Sequence, residues 1–481
     1  MKMNINKITY TIICVLVAII MNSCVNNSKI VTRKENRYTP NQFTATADST
    51  DNSAKIKWKE FFTDPVLVAL IDTALKNNQE LNIVTQEIEI ARNEARAKKG
   101  EYLPYLYLQG AGGAEKTPRY TRNGVVEDNL EVEPGEHFPE PLTDMLLSAN
   151  VSWEVDIWKK LRNAKKATVA RYIATAEGKN FLVTHLVAEI ASTYYELQAL
   201  DNQLLILKQN IAIQSDALDI VKLEKASAQV TELAVKRFEA EVYHTKSLQF
   251  DIQQQIIETE NKLNFIVGRY PTSIVRNSES FMTIIPKPIQ AGIPSQLLQN
   301  RPDIKQAEYQ LTAAKLDVKS AKASFYPALN IRAGVGYQAF NPQYFIKTPQ
   351  SLLYTVAGDL IAPLLNRNAL KAQYYSASAK QVQAMFNYEQ TILNAYIEVL
   401  NQVNKMDNIA KSYELREKRV LSLTQSIPIS NNLFKSARAD YMEVLMTQRD
   451  ALDSRMELVE TKKEQMNALI NVYRALGGGW R

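Results

Sequence analysis

The sequence contains few of the residues that end helices or cross-link chains. Its 481 residues include 15 Gly, 17 Pro, three His and two Cys. So little Gly and Pro favours long uninterrupted helices over many short strands. Two Cys exclude a disulfide framework, and the His residues have no near partners at metal-ligand spacing. The composition therefore indicates neither a disulfide-stabilised domain nor a metal centre.

The chain also lacks a strong charge of either sign. It has 57 basic and 51 acidic residues, a net charge of +6, without a Lys/Arg-rich block. That balance does not indicate a nucleic-acid surface. No nucleophile motif has a base at a recognisable spacing, and the glycine run 477–479 is followed by no helix that would make it a phosphate loop. We expect no enzyme, no cofactor and no nucleic-acid partner.

The first residues have the pattern of an export signal. Lys2 and Lys7 form a basic region, and an apolar stretch of roughly 13 residues follows at 8–20, which is within the usual range for a signal peptide. A membrane-spanning helix needs about 20 apolar residues. We therefore predict a lipoprotein signal peptide at 1–23 rather than a membrane anchor.

The end of this signal resembles the lipobox of bacterial lipoproteins. The segment 21–24 reads Met-Asn-Ser-Cys, with the small Ser23 before the cleavage point, although its first two residues depart from the usual pattern. We predict lipidation of Cys24, and several acyl chains would anchor the protein stably. Cys14 lies inside the signal, so the mature protein would have no free thiol. Val25 in place of Asp favours sorting to the outer membrane.

An internal comparison shows a duplication. Residues 102–110 read YLPYLYLQG and residues 325–333 read FYPALNIRA. Each segment follows an Ala/Lys-rich helical pattern, interrupts it with Pro, and continues with the alternating apolar residues of a strand. A second strand follows in each half, at about 147–155 and 353–361. The sequence thus predicts four strands, two in each half.

Long helices complete both halves. A first helix begins at Asp64-Pro65, an N-cap followed by Pro at the first helical position, and runs to about residue 99. The later helices are predicted at 163–223, 230–267, 367–424 and 438–476. Both halves then share the order helix, strand, strand, long helix, long helix. The predicted segments are a lipidated linker at 24–57, a first repeat at 58–270, a connector at 271–294 and a second repeat at 295–481.

The long helices carry apolar seams of the coiled-coil type. Leu186, Ile190, Tyr194 and Leu197 recur at three- and four-residue spacing. Apolar residues beside the seam widen it, as if each helix packs on two neighbours. A 60-residue helix would reach ~90 Å. A soluble helical bundle would explain these seams but would leave the paired strands unused.

The strands lead to an oligomeric barrel. Strands of about nine to eleven residues match a bilayer crossing, and a sheet in lipid must close on itself. Closed barrels need about eight strands, so four strands require further copies of the chain. Three copies would give twelve strands. The inserts at 114–144 and 338–350 suit extracellular loops, and the opposite strand ends suit the periplasmic side.

Several short stretches resemble the TolC-type outer-membrane factors, in particular the lipoprotein branch that serves resistance-nodulation-division (RND) efflux systems. They extend from residue 58 to the end in the family's order. The stretches are FFTDPVL at 61–67, WEVDIW at 153–158, RPDIKQAE at 301–308, AKASFYP at 321–327 and YRALGGGW at 473–480. The resemblance implies a mainly α protein in which long coiled-coil-like helices form a periplasmic α-barrel. It also implies a homotrimer with a twelve-stranded transmembrane β-barrel, lipid-anchored in the outer membrane.

The resemblance also implies partners and a gate. The partners are a periplasmic adaptor protein and an inner-membrane RND transporter. The family narrows its tunnel at the periplasmic tip, which corresponds here to Phe434, Asp440 and Glu443. Threefold symmetry would turn each carboxylate into a ring of three. A solvated acidic helix face explains Asp440 equally well, whereas for Glu443 we favour the gate. The first-half turn, 222–231, lacks the family's usual Gly.

Three functions remain open on the sequence. The first is the outer-membrane channel of a tripartite efflux pump that conducts small toxic compounds or drugs out of the periplasm. The second is the exit duct of a type I protein-secretion system. The third is a non-conducting structural lipoprotein of the envelope. The lipobox and the LGGGW ending at 476–480 favour efflux.

Overall fold

A computed structural model describes residues 33–43, 51–286, 288–436 and 438–481. The predicted signal peptide at 1–23, Cys24 and Ala437 lie outside these residues. The chain divides into two compact units. The sheet unit contains residues 89–172 and 309–385, and the helical unit contains 35–88, 173–308 and 386–481. Each unit therefore takes segments from both halves of the duplication.

The helices follow the predicted order, with several changes at their ends. Their bounds are α1 Trp58–Phe61, α2 Pro65–Asn77, α3 Gln79–Glu101, α4 Arg122–Asn129, α5 Lys160–Ala226, α6 Glu232–Val267, α7 Leu297–Asn300, α8 Pro302–Ala323, α9 Asn368–Lys435 and α10 Tyr441–Ala475. Short 3₁₀ turns occur at Ser53–Lys55, Phe281–Thr283, Pro294–Gln296 and Pro342–Tyr344. Within the described residues, no helix is long and apolar enough to cross a membrane.

Six strands form two sheets in the sheet unit. They are β1 Tyr105–Glu115, β2 Glu131–Glu133, β3 Glu136–His137, β4 Leu142–Val155, β5 Ala328–Ala339 and β6 Leu352–Ile361. The main sheet has the order β1-β4-β5-β6, and each neighbouring pair is antiparallel. The four predicted strands are present, with 11, 14, 12 and 10 residues. β4 starts five positions before the prediction because residues 142–146 still pair with the end of β1.

The helix predicted from residue 64 to 99 is divided at Asn78, which has an extended ψ of 126°. The Asn78 side chain accepts a hydrogen bond from the Leu81 amide at 2.9 Å and donates one to the Ile266 carbonyl at 2.8 Å. It therefore caps α3 and holds the end of α6. Gly268 ends α6 with a φ of +79°, and a Cβ there would lie 2.5 Å from the Asn77 carbonyl oxygen. The position requires glycine.

The prediction that the first long helix of the second half ends near residue 424 is wrong. α9 continues to Lys435 with Pro428 inside it. Proline removes one helical hydrogen bond and usually kinks a helix, but here it lies inside α9. Ser430 Oγ donates to the Ile427 carbonyl oxygen at 3.0 Å, and Arg455 Nη2 donates to Thr424 Oγ1 at 3.3 Å. Ser430, after the proline, thus bonds within α9, and Thr424, before the proline, bonds to Arg455 of α10.

The core of the helical unit joins both halves of the chain. Leu67 and Ile71 of α2, Ile190 of α5 and Ile470 of α10 are fully buried in one apolar cluster. Tyr194 Oη in the same cluster donates to Asp64 Oδ2 at 2.8 Å. Asp64 also caps α2 as predicted, accepting from the Val66 and Leu67 amides at 2.8 and 3.3 Å.

The connector after α6 is held by an arginine whose side chain is 11% exposed. Arg276 donates to Asp201 Oδ1 at 2.8 Å and pairs with Glu260 Oε1 at 2.5 Å. Asp201 belongs to α5 and Glu260 to α6. The connector is therefore tied to both helices of the first half.

Candidate channel wall and gate

The main sheet has two chemically different faces. Partners in an antiparallel register share a face, and successive residues of a strand lie on opposite faces. One face, here called the apolar face, carries the rows Leu106–Val151–Ala333–Val356 and Leu108–Ala149–Val335–Tyr354. Leu108 and Val356 are 78% and 81% exposed. The apolar face therefore presents large, exposed apolar side chains.

The opposite face, here called the polar face, carries hydrogen-bonding and charged side chains. Its rows include Tyr107–Asn150–Gly334–Thr355 and Tyr105–Ser152–Arg332–Ala357. Asn150 Nδ2 donates to Ser148 Oγ at 2.9 Å. Gly334 gives Asn150 its space, since a Cβ there would lie 2.5 Å from Asn150 Oδ1. An apolar outer face and a polar inner face are the signature of a membrane barrel wall.

The two edges of this sheet remain open. β1 and β6 are its end strands, and in the described part of the chain neither pairs with a further strand. Unpaired backbone groups cannot be satisfied in lipid. A membrane wall built from this sheet would need a partner strand at both edges.

The inserts between the strands are ordered and joined to each other, which the sequence did not indicate. The first insert contains α4 and the β2–β3 hairpin. Tyr344 Oη of the second insert donates to Glu136 Oε2 at 2.6 Å, and Lys347 Nζ lies 3.8 Å from Glu133 Oε1. The rings of Phe138 and Phe340 are 5.4 Å apart. The two inserts form one connected rim at this end of the sheet.

The predicted gate residues lie at one turn of the helical unit, between α9 and α10. Asp440 is the N-cap residue of α10, and its backbone carbonyl accepts from the Glu443 amide at 3.0 Å. Both side chains are exposed, and neither carboxylate has an ion-pair partner among the described residues. Phe434 is partly buried and packs against a cluster that includes Phe238 and Val444. The aromatic ring thus supports the turn, while the two carboxylates face away from the packing.

The turn between α5 and α6 packs in the same cluster, through Leu218 and Val235. Ala228 in this turn has a φ of +59°, a conformation that favours glycine. The amide of Ala228 bonds to the Lys225 carbonyl at 2.9 Å, and that of Gln229 bonds to the Glu224 carbonyl at 2.9 Å. The missing glycine is therefore replaced by a strained alanine in the usual helix-ending geometry.

The helical unit contains a buried charge network that the sequence does not indicate. Arg301 is 6% exposed and donates to Asp303 Oδ2, to Glu398 Oε2 and to the Ala475 carbonyl at 2.7–2.8 Å. Arg474 Nη2 donates to Glu398 Oε1 at 2.9 Å. Burial alone would lower the pKa of Arg301, but its bonds to Asp303 and Glu398 raise it overall. The sequence showed Arg301 as the residue before a helix, and the helix does begin at Pro302.

His185 borders this network. Its ring packs edge-on against Phe181 at 4.4 Å, and its Nδ1 lies 3.5 Å from Arg474 Nη1. Burial, followed by the nearby Arg474 charge, lowers the pKa of His185 below 6.5. The histidine therefore packs beside a cation in its neutral form. In the described residues, no group of three or more His, Cys, Asp or Glu side chains could hold a metal ion.

A wall with one lipid-compatible face, together with long paired helices, defines the class of outer-membrane ducts. The family model for outer membrane efflux proteins matches residues 70–269 and 293–478. The chain belongs to this outer membrane efflux protein family.

Curated relatives cover nearly the whole chain. The solvent efflux pump outer membrane protein SrpC of Pseudomonas putida is 27% identical over 88% of this chain and 87% of its own length. The cation efflux system protein CusC of Escherichia coli O6:H1 is 25% identical over 92% of this chain and 93% of its own. The probable outer membrane lipoprotein SilC of Salmonella typhimurium is 25% identical over 88% of both.

Solved structures show the same fold. The open state of the Neisseria gonorrhoeae MtrE outer membrane channel matches with a TM-score of 0.82 and 19% identity, over 94% of this chain and 98% of the other. A structure of CusC matches with a TM-score of 0.80 and 23% identity, over 94% and 100%. The resemblance to TolC-type factors is confirmed, as is the predicted mainly α fold with long helices and four strands in one sheet. Closure of a trimeric barrel stays a prediction. The chain is an efflux channel protein of the outer membrane.

Proposed function

We propose that three copies of the chain close a twelve-stranded barrel, through which small toxic compounds or drugs leave the periplasm. The observation that carries this proposal is the four-stranded sheet with an apolar face, a polar face and two open edges. Joining β6 of one copy to β1 of the next satisfies both edges and places every polar face inside. The chain acts as a conduit and performs no chemistry. Its partners are a periplasmic adaptor and an inner-membrane RND transporter.

The relatives favour small solutes over secreted proteins. Their names refer to solvents and to cations, which are small and chemically unlike each other. Relatives with one fold that carry chemically different solutes indicate a duct of low selectivity. The inner-membrane transporter would then select the solute. The type I secretion duct remains the alternative with the same architecture. A non-conducting structural lipoprotein would not need a continuous polar face on its sheet.

The experiment is deletion of the gene in its native host, followed by a sensitivity screen across solvents, metal ions, dyes, detergents and antibiotics. Increased sensitivity to at least one class, restored by the wild-type gene, supports efflux. Unchanged sensitivity to every small compound, with loss of a secreted protein from the medium, would favour the alternative duct. Unchanged sensitivity and secretion would leave the structural role.

The membrane attachment is part of the same proposal. A signal peptide at 1–23 is removed, Cys24 is acylated, and residues 24–57 link the anchor to the first repeat at 58–270. The connector at 271–294 and the second repeat at 295–481 follow. Cys24→Ala is expected to abolish metabolic labelling with fatty acid, whereas Cys14→Ala, inside the signal, retains it. Labelling that persists in Cys24→Ala would exclude this site.

The gate is proposed at the α9–α10 turn. Glu443, with Asp440 beside it, is repeated three times around the axis of the trimer, and Phe434 holds the turn in place. The exposed carboxylates without ion-pair partners support this assignment, because their fields are not neutralised within the described part of one chain.

A further inference from the structure

One end of the polar face carries charges of both signs. Glu154 of β4 lies opposite Asn330 of β5, which lies opposite Asp359 of β6. One row away on the same face, Arg332 lies between Ser152 and Ala357. Arg332 is therefore the diagonal neighbour of Glu154 on one side and of Asp359 on the other. Diagonal neighbours in an antiparallel sheet are about 7–8 Å apart.

The charged residues of this group, Glu154, Arg332 and Asp359, differ in their surroundings. Glu154 has an ion-pair partner in Lys160 at the start of α5. Asp359 and Arg332 are exposed, and the described part of the chain places no oppositely charged atom within 4.0 Å of either one. Asp359 lies on an edge strand, next to the position where another copy would join. These two charges therefore act on whatever occupies the space over the polar face.

We propose that Arg332 and Asp359 form two oppositely charged rings, one row apart, which filter solutes by charge. The inference rests on the proposed trimer, in which each charge occurs three times around the polar interior. Rings of like charge raise the local potential and select ions of the opposite sign. Successive residues on one face of a strand are about 7 Å apart, so a solute meets both signs within a short distance.

Two adjacent rings of opposite sign favour a particular class of solute. A simple cation attracted by the Asp359 ring is repelled by the Arg332 ring, and an anion meets the reverse order. Neutral compounds, and zwitterions whose charges are separated by a similar distance, meet no such barrier. The wild-type duct is accordingly expected to show weak selectivity between small cations and anions at this position.

The test is the reversal potential of the purified protein in planar bilayers under a potassium chloride gradient. Asp359→Asn leaves the arginine ring unopposed and is expected to lower the cation-to-anion permeability ratio at least about twofold, whereas Arg332→Gln raises it by a similar factor. The double variant is expected to return close to wild type. Thr355→Val, on the same strand and face but without a charge, is the matched control and leaves the ratio unchanged.

A second measurement avoids any dependence on folding of the variants. Asp359→Cys is inserted into the bilayer first and then treated with a cationic or an anionic thiol reagent. Opposite shifts of the reversal potential support the filter. One result would overturn the filter. The wild type conducts, but the single variants and the modified cysteines all keep the wild-type cation-to-anion permeability ratio or all shift it in the same direction. Absence of any wild-type current would instead overturn the proposed duct.

Discussion

At the scale of single residues, Arg301 connects parts of the chain that are far apart in sequence. Its guanidinium bonds to Asp303, to Glu398 of α9 and to the Ala475 carbonyl at the end of α10. Removing one member of a buried ion pair leaves an uncompensated charge. Arg301 is therefore a position where a small chemical change should affect the whole helical unit.

We expect Arg301→Met to lower the free energy of unfolding by about 3–5 kcal/mol, the usual cost of breaking a buried pair. Arg92→Met removes the exposed Arg92–Glu89 pair and should change it by less than about 0.5 kcal/mol. Denaturant unfolding of both variants in detergent measures the difference. Equal, small changes in the two variants would show that the network does not stabilise the fold.

His185 should make stability depend on pH. Burial and Arg474 hold its folded-state pKa below the ordinary value of 6.5, so the unfolded chain binds the proton more readily. The associated stability is present above pH 6.5 and is lost as pH falls through the folded-state pKa. We expect the melting temperature to decrease as the pH falls below 6.5. The His185→Gln variant should show a smaller decrease of melting temperature with pH.

His244→Gln is the control for this pH dependence, because His244 is exposed. The slope should be the same in this variant as in the wild type. If His185→Gln also kept the wild-type slope, the pH dependence would have to come from other groups.

Glu443 tests the gate at the same scale. Glu443→Gln removes a ring of three charges in the proposed trimer, so we expect about a twofold change in single-channel conductance and a lower preference for cations. Glu414→Gln removes an equal charge from the exposed Glu414–Lys418 pair, whose atoms are 2.7 Å apart, and should have little effect. A Glu443→Gln channel indistinguishable from wild type in planar bilayers would remove this residue from the gate.

At the scale of helices and strands, Asp64 shows how a local sequence signal also serves the core. The cap bonds to Val66 and Leu67 were predicted from Asp64-Pro65, whereas the bond from Tyr194 was not. We expect Asp64→Ala to cost about 1–2 kcal/mol for the cap and about 1 kcal/mol more for the lost tyrosine bond. Thr231→Ala changes a cap residue without a side-chain bond.

The Thr231→Ala variant should therefore unfold within about 0.5 kcal/mol of wild type. Comparing the two variants by denaturant unfolding separates the bonded cap from the unbonded one. Equal costs would mean that the Asp64 hydrogen bonds contribute no more than helix propensity at that position.

The helices and strands could be predicted where a local sequence pattern determines them. Alternation of apolar residues predicted the first strand of each half, β1 and β5, and the helix predicted at 230–267 ends where α6 ends. The break at Asn78 has a local cause in its cap bond to the Leu81 amide, but its bond to the Ile266 carbonyl is distant in sequence and could not be predicted. The continuation of α9 through Pro428 and the joined inserts likewise depend on tertiary contacts. The sequence predicted that Phe434 lies at the α9–α10 turn, but it did not predict that Phe434 packs against Phe238.

At the scale of the whole molecule, the duplication does not produce two separate domains. Both halves supply strands to the sheet unit and helices to the helical unit. The polar and apolar faces continue across β4 and β5, which come from different halves. One wall is thus made by two repeats, and its open edges leave room for further copies.

The central claim is that the polar face lines a water-filled duct and the apolar face contacts lipid. The most direct measurement is thiol labelling of adjacent positions on β6 in reconstituted channels, with a membrane-impermeant reagent. Thr355→Cys, on the polar face, is expected to react and to reduce the current, while Val356→Cys, on the apolar face, stays unreacted. Reaction at Val356→Cys with protection at Thr355→Cys would contradict the account.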